Sequence, residues 1–568
     1  MLYSKLAQLY EDLSSTTKRL EKTDILAKFL SVLPEEEEDV LYLLLGNIYA
    51  QYDSRKIGIS EQLVVKSIAR ASGASSEEVV KKWKKLGDLG KVSEELVGNK
   101  KQSTLSSSVL KVDKVLLNLR KLPELVGIGT IDRKMSLIME LLTSASGIEA
   151  KYLVRTLIGD LRVGVHESTV RDAMAVAFFD EEEKKENAIK IQEALDKSND
   201  LVVVYNIVKD GQIDKLEKIS LVIGQPVKVM LAQKVSTIEE AFEKVGKPAV
   251  FEYKYDGFRL IIHKDKSGIK LFTRRLENVT KQFPEVVGYV EKYIEGKEFI
   301  LDSEAIGFDS KTREYKPFQD ISQRIRRKYH IEEIQKKLPV EVDVFDILYY
   351  EGRNFIKETF EKRTELVKKI VKNVPYKIMA AKQLISSDVE EAEKFYAQAL
   401  DDNQEGVMIK SLTAPYKPGS RVGHMIKLKP NERDYDLVIT GAEYGKGKRQ
   451  GWLSSFILSA YDEETGKYVE VGKASTGLKE KSELGLSFDD LTKLIKPLIL
   501  KETGRQVEVK PKIVVAITYQ EIQKSPNYNS GYALRFPRFT ALREDKPLSE
   551  IASLEDLEVD YKNQSSGK

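Results

Sequence analysis

The stretch FEYKYDGFRLIIHK, residues 251–264, sets one lysine, Lys254, beside a tight turn. A lysine amine can act as a covalent nucleophile, but only after it has lost its proton. Phe251-Glu252-Tyr253-Lys254-Tyr255 alternates aromatic and charged residues, the pattern of a half-buried strand. Asp256-Gly257 is a strong two-residue hairpin signal, and Phe258 to His263 reads as the return strand. Taken locally, the stretch predicts a structural hairpin with a surface lysine. Further blocks decide otherwise: LFTRR from Leu271, LDSEAIGFD from Leu301, VDVFDILYY from Val342, EGVMIK from Glu405 and MIKLKP from Met425. If these strands converge, Arg259, Arg274, Lys410 and Lys427 surround Lys254 with positive charge. Nearby positive charge or desolvation lowers a lysine from its usual pKa of ~10.4.

The elements that must hold these residues divide the chain into three. Residues 1–222 read as helical: SKLAQLYEDLSSTTKRLEKTDILAKFLSVL and VLYLLLGNIYAQY carry apolar residues every three or four positions. SSEEVVKKW opens on a capping signature, Ser76 followed by Glu78. Glycine-punctuated helices follow between Ile128 and Phe179; such turns can offer backbone N–H groups to phosphates, or simply cap helices. From IGQPVKVMLA, strands and helices mix over 223–430, the composition of an α+β domain with antiparallel sheets. Over 431–568, short strands surround the helical SFDDLTKLIKPLIL, which fits a β-barrel of OB-fold type with a C-terminal helix.

A chain of 568 residues exceeds what one core serves, so several domains are expected. The absence of cysteine excludes disulfides, thiolate catalysis and cysteine-bound zinc. The four histidines, His166, His263, His330 and His424, are scattered without metal-ligand spacing. The net charge of +3 implies no nucleic-acid partner by itself, although local basic surface remains compatible with one. MLYSKLAQLYEDL lacks a basic flank followed by an apolar core, and no apolar run approaches a membrane span. A cytoplasmic protein with no membrane partner is the expectation.

The ordered blocks resemble the nucleotidyltransferase motifs of ATP-dependent DNA ligases, a superfamily shared with RNA ligases and mRNA capping enzymes. ALRFPRFTALREDKP, residues 533–547, resembles that family's C-terminal motif, and EAKYLVRTLIGDLRVGV resembles the DNA-encircling domain of the archaeal and eukaryotic replicative type. The resemblance spans nearly the whole chain. It implies that Lys254 attacks the α-phosphate of ATP, forming lysyl-AMP, and that AMP then activates a 5′-phosphate at a nick. The implied cofactors are ATP and Mg2+, and the implied partner is nicked double-stranded DNA. A monomer is expected, with a sliding clamp as a candidate partner.

The resemblance further assigns Glu252 to the adenine amino edge, Phe345 to base stacking, and Glu304 to a ribose or metal contact. Glu304 and Glu405 together suit Mg2+, which takes few protein ligands. Glu405 shares its strand periodicity with Val407 and Ile409, so it reaches a site only from the strand start. Lys427 is given the α-phosphate, with Lys429 in support, and Arg421 the triphosphate. Arg535, Arg538, Arg543 and Lys546 are expected to orient departing pyrophosphate after closure about a hinge at Lys429 to Asp436. YGKGKRQG, residues 444–451, is a basic loop suited to a phosphate backbone, or a solvated hairpin. ADP, GTP and NAD+ stay open beside ATP, and no separate domain for NAD+ capture is visible. Two rivals stand: an RNA ligase or capping-type enzyme, against which the long helical region argues, and an inactive DNA clamp, against which Lys254, Glu304, Glu405 and Lys427 argue.

Overall fold

The computed structural model describes residues 1–568 except 54, 100–108, 128, 317–320, 322–323, 326–329, 431–432, 481–484, 545 and 567–568. The expected hinge thus lies partly outside the described residues. Two compact units form: one of 1–59, 109–137 and 156–430, the other of 60–108, 138–155 and 431–568.

In the first unit, helices Arg19–Ser31 and Glu167–Phe178 pack together, and Lys184–Ser198 lies against the latter. Leu26, Leu30, Val170 and Met174 are buried, as their helical spacing requires. Among the described residues, twelve strands follow: β1 Leu231–Val235, β2 Ala249–Lys254, β3 Phe258–Asp265, β4 Gly268–Thr273, β5 Phe299–Phe308, β6 Tyr315–Lys316, β7 Val340–Tyr350, β8 Arg353–Asn354, β9 Ile378–Ala380, β10 Gln383–Ser386, β11 Gly406–Ser411 and β12 Arg421–Leu428. They form two sheets. One runs β1-β12-β11-β2-β10; the other runs β4-β3-β5-β7-β8, with β6 beside β5 and β9 beside β7. Pairing is antiparallel except for β1 with β12 and β7 with β9.

This arrangement corrects the hairpin expected at Asp256-Gly257: β2 and β3 belong to different sheets. The turn is a crossover, because β2 finds its partners in β11 and β10, far along the chain. The capping signature also shifts by one: Ser75, not Ser76, caps the helix Ser76–Leu86 by accepting from the Glu78 N–H at 3.1 Å.

Side-chain alternation gives each sheet one helix-covered face. Phe251, Tyr253, Val407, Ile409, Ile426 and Leu428 pack against the helices Ile238–Val245 and Val389–Asp401. Leu260, Ile262, Leu301, Val342 and Val344 pack against Pro284–Tyr293 and Phe360–Ile370. The remaining faces meet each other: Ile261, Phe272, Ile300 and Leu348 share a core with Val422, Met425 and Met408. The polar residues of alternate register are therefore carried on facing sheet surfaces.

The second unit contains helices Glu61–Ser72, Ser76–Leu86, Leu89–Gly98 and a strand-rich region. Its strands are β13 Arg433–Tyr444, β14 Leu453–Asp462, β15 Lys467–Ala474, β16 Ile499–Thr503, β17 Gln506–Val509, β18 Val514–Tyr519, β19 Ile522–Lys524, β20 Tyr532–Leu534 and β21 Arg538–Leu542. The main sheet runs β15-β14-β13-β17-β16, with β18 joining β13 to β21. Phe488, Leu491 and Ile495 of the helix Phe488–Ile495 and Leu557 of Leu554–Ser566 enter its core. Among the described residues, no helix is long and apolar enough to cross a membrane.

Candidate active site

Lys254 ends β2, and its ammonium pairs with the Glu405 carboxylate at 2.5 Å. The backbone braces the same contact, the Glu405 N–H donating to the Lys254 carbonyl at 2.9 Å. Glu405 does precede its strand. Gly406 has φ +140°, and a Cβ there would lie 2.3 Å from the Leu428 carbonyl oxygen, so only glycine lets β11 start so close to the end of β12. The crossover depends on Gly257 in the same way: a Cβ would meet the Ala305 carbonyl oxygen at 2.4 Å and Glu304 Cγ at 3.0 Å. Gln404, buried beside Glu405, accepts from the Asp256 N–H at 3.1 Å and ties the crossover to the Glu405 segment.

The facing surface of the second sheet supplies Arg259, Asp302, Glu304 and Phe345. Arg259 Nε donates to Asp302 Oδ1 at 2.7 Å, and its Nη2 pairs with Oδ2. Tyr416 donates to Asp302 Oδ2 at 2.8 Å and accepts from the Met230 N–H at 3.1 Å. Asp302 pairs with Asp346, and Ser303 with Val344, leaving Phe345 as an extra residue in a β-bulge. A bulge re-aims its side chain. The Phe345 ring is partly exposed, with the Arg259 guanidinium 5.2 Å and the Lys410 ammonium 4.8 Å from its centroid.

Glu252 and Lys410, both buried, pair at 2.5 Å, and Gln383 Nε2 donates to the same carboxylate at 2.5 Å. The expectation that Arg259, Arg274 and Lys410 lend bare charge to Lys254 is therefore corrected. Arg259 and Lys410 are neutralised by their own carboxylates, and Arg274 is exposed just past the end of β4. Lys427 is half-buried on β12. Burial lowers its pKa, and Lys254, Lys429 and Arg421 lower it further by crowding it with positive charge. Arg421 is exposed at the start of β12, and Lys429 follows its end.

Burial pushes the Glu304 carboxyl up to about 8, with the Glu405 and Asp302 charges adding and those of Lys254 and Arg259 opposing. Among the described residues no three ligating side chains gather as a ready metal cage. The Glu304 and Glu405 carboxylates, both within electrostatic reach of Lys254, nonetheless fit Mg2+, which takes few protein ligands.

In the second unit, Arg543 Nη1 and Lys546 Nζ both reach Asp436, at 3.0 and 2.7 Å, while Arg535 pairs with Glu521 at 2.8 Å and Arg538 is exposed on β21. The basic loop at 444–451 is engaged within the unit. Lys446 pairs with Glu61 and sits 5.4 Å from the Trp83 ring, and Gln450 donates to the Lys85 carbonyl at 2.9 Å. His263 is buried and accepts from the Gly224 N–H at 3.0 Å.

Asp302, Tyr416, Gln383 and Gln404 are supporting residues that sequence reasoning did not single out as partners. Asp302 alone left a signal, as a charge inside an apolar strand that must find a counter-charge. The glutamines and Tyr416 acquire meaning only through their spatial neighbours.

Three family models match in chain order: "DNA ligase N terminus" over residues 2–175, "ATP dependent DNA ligase domain" over 229–429, and "ATP dependent DNA ligase C terminal region" over 449–546. The DNA ligase of Nanoarchaeum equitans is 42% identical over 569 residues, covering 100% of this chain and 99% of that protein. That of Thermococcus onnurineus is 39% identical over 571 residues, with the same coverage. The solved structure Pmar-Lig_PreS3 shares the fold, with TM-score 0.56 at 16% identity over 94% of this chain and 99% of its own. Full-length matches at this identity, joined to a lysine paired with Glu405 beside the crowded cation Lys427, place the chain in the ATP-dependent DNA ligase family.

Proposed function

We propose that Lys254 is the residue that carries AMP while the enzyme seals 5′-phosphate/3′-OH nicks in duplex DNA. The observation that carries this reading is Lys254 paired with Glu405 beside the crowded cation Lys427. Lys254, Lys429 and Arg421 crowd Lys427 with positive charge, which a triphosphate would relieve. In the first step Glu405, within hydrogen-bond reach, takes a proton from Lys254 Nζ. The freed amine attacks the α-phosphorus; an N–P bond forms and the P–O bond to pyrophosphate breaks. Lys427 neutralises the α-phosphate, with Lys429 beside it, and Arg421 orients the departing end. Glu304 and Glu405 would hold Mg2+, which would supply positive charge to the phosphate oxygens. Phe345 stacks on the base, Glu252 accepts from the adenine amino group, and Glu304 is assigned to the ribose or the metal. Arg259 supports the Phe345 ring, Lys410 holds Glu252, and Arg274 is an outlying ATP contact.

AMP then passes to the 5′-phosphate at a nick and leaves when the 3′-OH attacks. Residues 1–222 are assigned to DNA binding, 223–430 to nucleotidyl transfer and 431–568 to an OB-fold domain. Arg538, Arg543 and Lys546 are assigned to pyrophosphate departure. Because one chain supplies every residue named for the first step, a monomer suffices, and duplex DNA as substrate suits a cytoplasmic enzyme. Incubation with ATP labelled in the α-phosphate, followed by peptide mapping, tests the reading. Label on Lys254 is expected; label elsewhere refutes it.

A further inference from the structure

Glu252 is held from two sides. Gln383 on β10 stands directly opposite it in the antiparallel register with β2, and Gln383 Nε2 donates to Glu252 Oε1 at 2.5 Å. Lys410 Nζ takes the other oxygen, Oε2, also at 2.5 Å. The Gln383 amide is itself anchored: its nitrogen lies 2.7 Å and its oxygen 3.1 Å from Thr364 Oγ1, on the helix Phe360–Ile370. Glu252, Lys410 and Thr364 are at most 4% exposed. The Lys410 ammonium that grips Glu252 also lies over the Phe345 ring, so the carboxylate stands beside the aromatic face read above as the base platform.

An ion pair alone leaves a carboxylate free to turn, because its last torsion is broad and nearly two-fold. Two donors on two different oxygens remove that freedom. Each oxygen retains a further lone pair to accept another hydrogen bond. A carboxylate locked in this way accepts an amino group presented at one position and repels a carbonyl oxygen there. Adenine presents a 6-amino group at that edge; guanine presents an oxygen. A buried site that leaves a polar group mismatched discriminates far more strongly than one that only changes shape.

We propose that Gln383 is a positioning residue that sets the nucleobase selectivity of lysine adenylylation, by locking the Glu252 carboxylate toward the 6-amino group of the incoming purine. This rests on the assignment of Glu252 and Phe345 to the base. Gln383 does not touch the reacting atoms. Its effect is on KM and on the choice of nucleotide, with kcat at saturation little changed.

The test uses the full chain. Initial rates of AMP or analogue transfer to Lys254 are measured with ATP, GTP and purine riboside triphosphate, which lacks the 6-amino group. The stoichiometry of label at saturating ATP counts folded molecules, so partial misfolding does not alter the ratios. The natural chain is expected to prefer ATP over purine riboside triphosphate by ~10–100-fold in kcat/KM. Gln383→Met, which keeps the volume and removes the donor, should narrow that preference at least ~5-fold through KM. Its preference for ATP over GTP should narrow with it. Thr364→Val should move both ratios the same way but less. If Gln383→Met does not fold, Gln383→Asn, too short to reach Glu252, carries the same expectation. Equal slowing with all three nucleotides would show that Gln383 only packs, and would overturn the proposal. A natural chain that labels Lys254 without preferring ATP would overturn it too while leaving the lysine assignment intact. A natural chain never labelled at Lys254 would remove the underlying reading itself.

Discussion

Replacing Gly257 by alanine tests how the crossover aims Lys254. The added Cβ would lie 2.4 Å from the Ala305 carbonyl oxygen and 2.9 Å from its carbonyl carbon, both backbone atoms of β5. Real Cβ contacts stop near 3.0 Å, so β5 and the crossover must separate by about 0.6–1.0 Å to reach an ordinary distance. Lys254 lies three residues upstream and Glu304 is the residue before Ala305, so both move relative to each other. A misplacement of ~1 Å costs ~10²-fold when reaction depends on a near-attack geometry. Overpacking of this kind also costs ~1–3 kcal/mol of stability. The assay is the single-turnover rate of AMP transfer to Lys254 at saturating ATP, with thermal unfolding measured on the same preparation. Gly288→Ala is the control: it lies exposed in the helix Pro284–Tyr293 with nothing within 4 Å of an added Cβ. That change should leave the rate unaltered and add up to ~1 kcal/mol of helix stability. A Gly257→Ala chain that transfers AMP within about threefold of the natural rate would refute the argument that this close approach aims the lysine.

Lys254→Ala and Lys254→Arg should both abolish self-adenylylation, since arginine keeps the charge but cannot be deprotonated. Both should still seal a nick that is already adenylylated, and acid-labile AMP on either variant would overturn the assignment. Burial, with Lys270 adding, pushes His263 down to about 3 from an ordinary 6.5. Above pH ~6.5 folded and unfolded chains are both neutral at this site, so no pH dependence arises. As pH falls below that value the unfolded chain takes up a proton that the folded chain refuses, and stability drops by ~1.4 kcal/mol per unit until about pH 3. His263→Gln should flatten that slope in urea unfolding between pH 7 and 5; an unchanged slope would mean the loss arises elsewhere. Tyr416→Phe removes the hydroxyl that joins Asp302 to Met230, leaving the Met230 N–H without that acceptor, and should cost ~1–3 kcal/mol. An unfolding midpoint equal to that of the natural chain would show that water replaces the hydroxyl without loss.

Much of the chemistry was legible in the order of residues. The lysine, the two glutamates and the alternation that sets half-buried Lys427 between buried Ile426 and Leu428 are local properties. The helical first part and the strand-rich remainder follow from period, because apolar residues must share one face of whichever element they occupy. Glu405 shows where period stops. Its spacing groups it with Val407 and Ile409, yet Gly406, the first residue of β11, has a backbone conformation that favours glycine, and Glu405 just before it meets Lys254.

The tertiary structure decided what local pattern could not. Asp256-Gly257 carries a genuine hairpin propensity, but a hairpin forms only if its strands prefer each other to more distant partners. Here β2 pairs with β10 and β11, and β3 with β4 and β5, so the turn becomes a bridge between sheets. The cations near Lys254 were countable from the sequence, whereas their counter-charges were not. Asp302 neutralises Arg259 from a strand some forty residues on, and Glu252 neutralises Lys410 across more than one hundred and fifty. Charge acts through space with a reach of a few ångströms, and distance along the chain does not report distance in space. Which charges remain to meet a phosphate is settled only when the two sheets face each other.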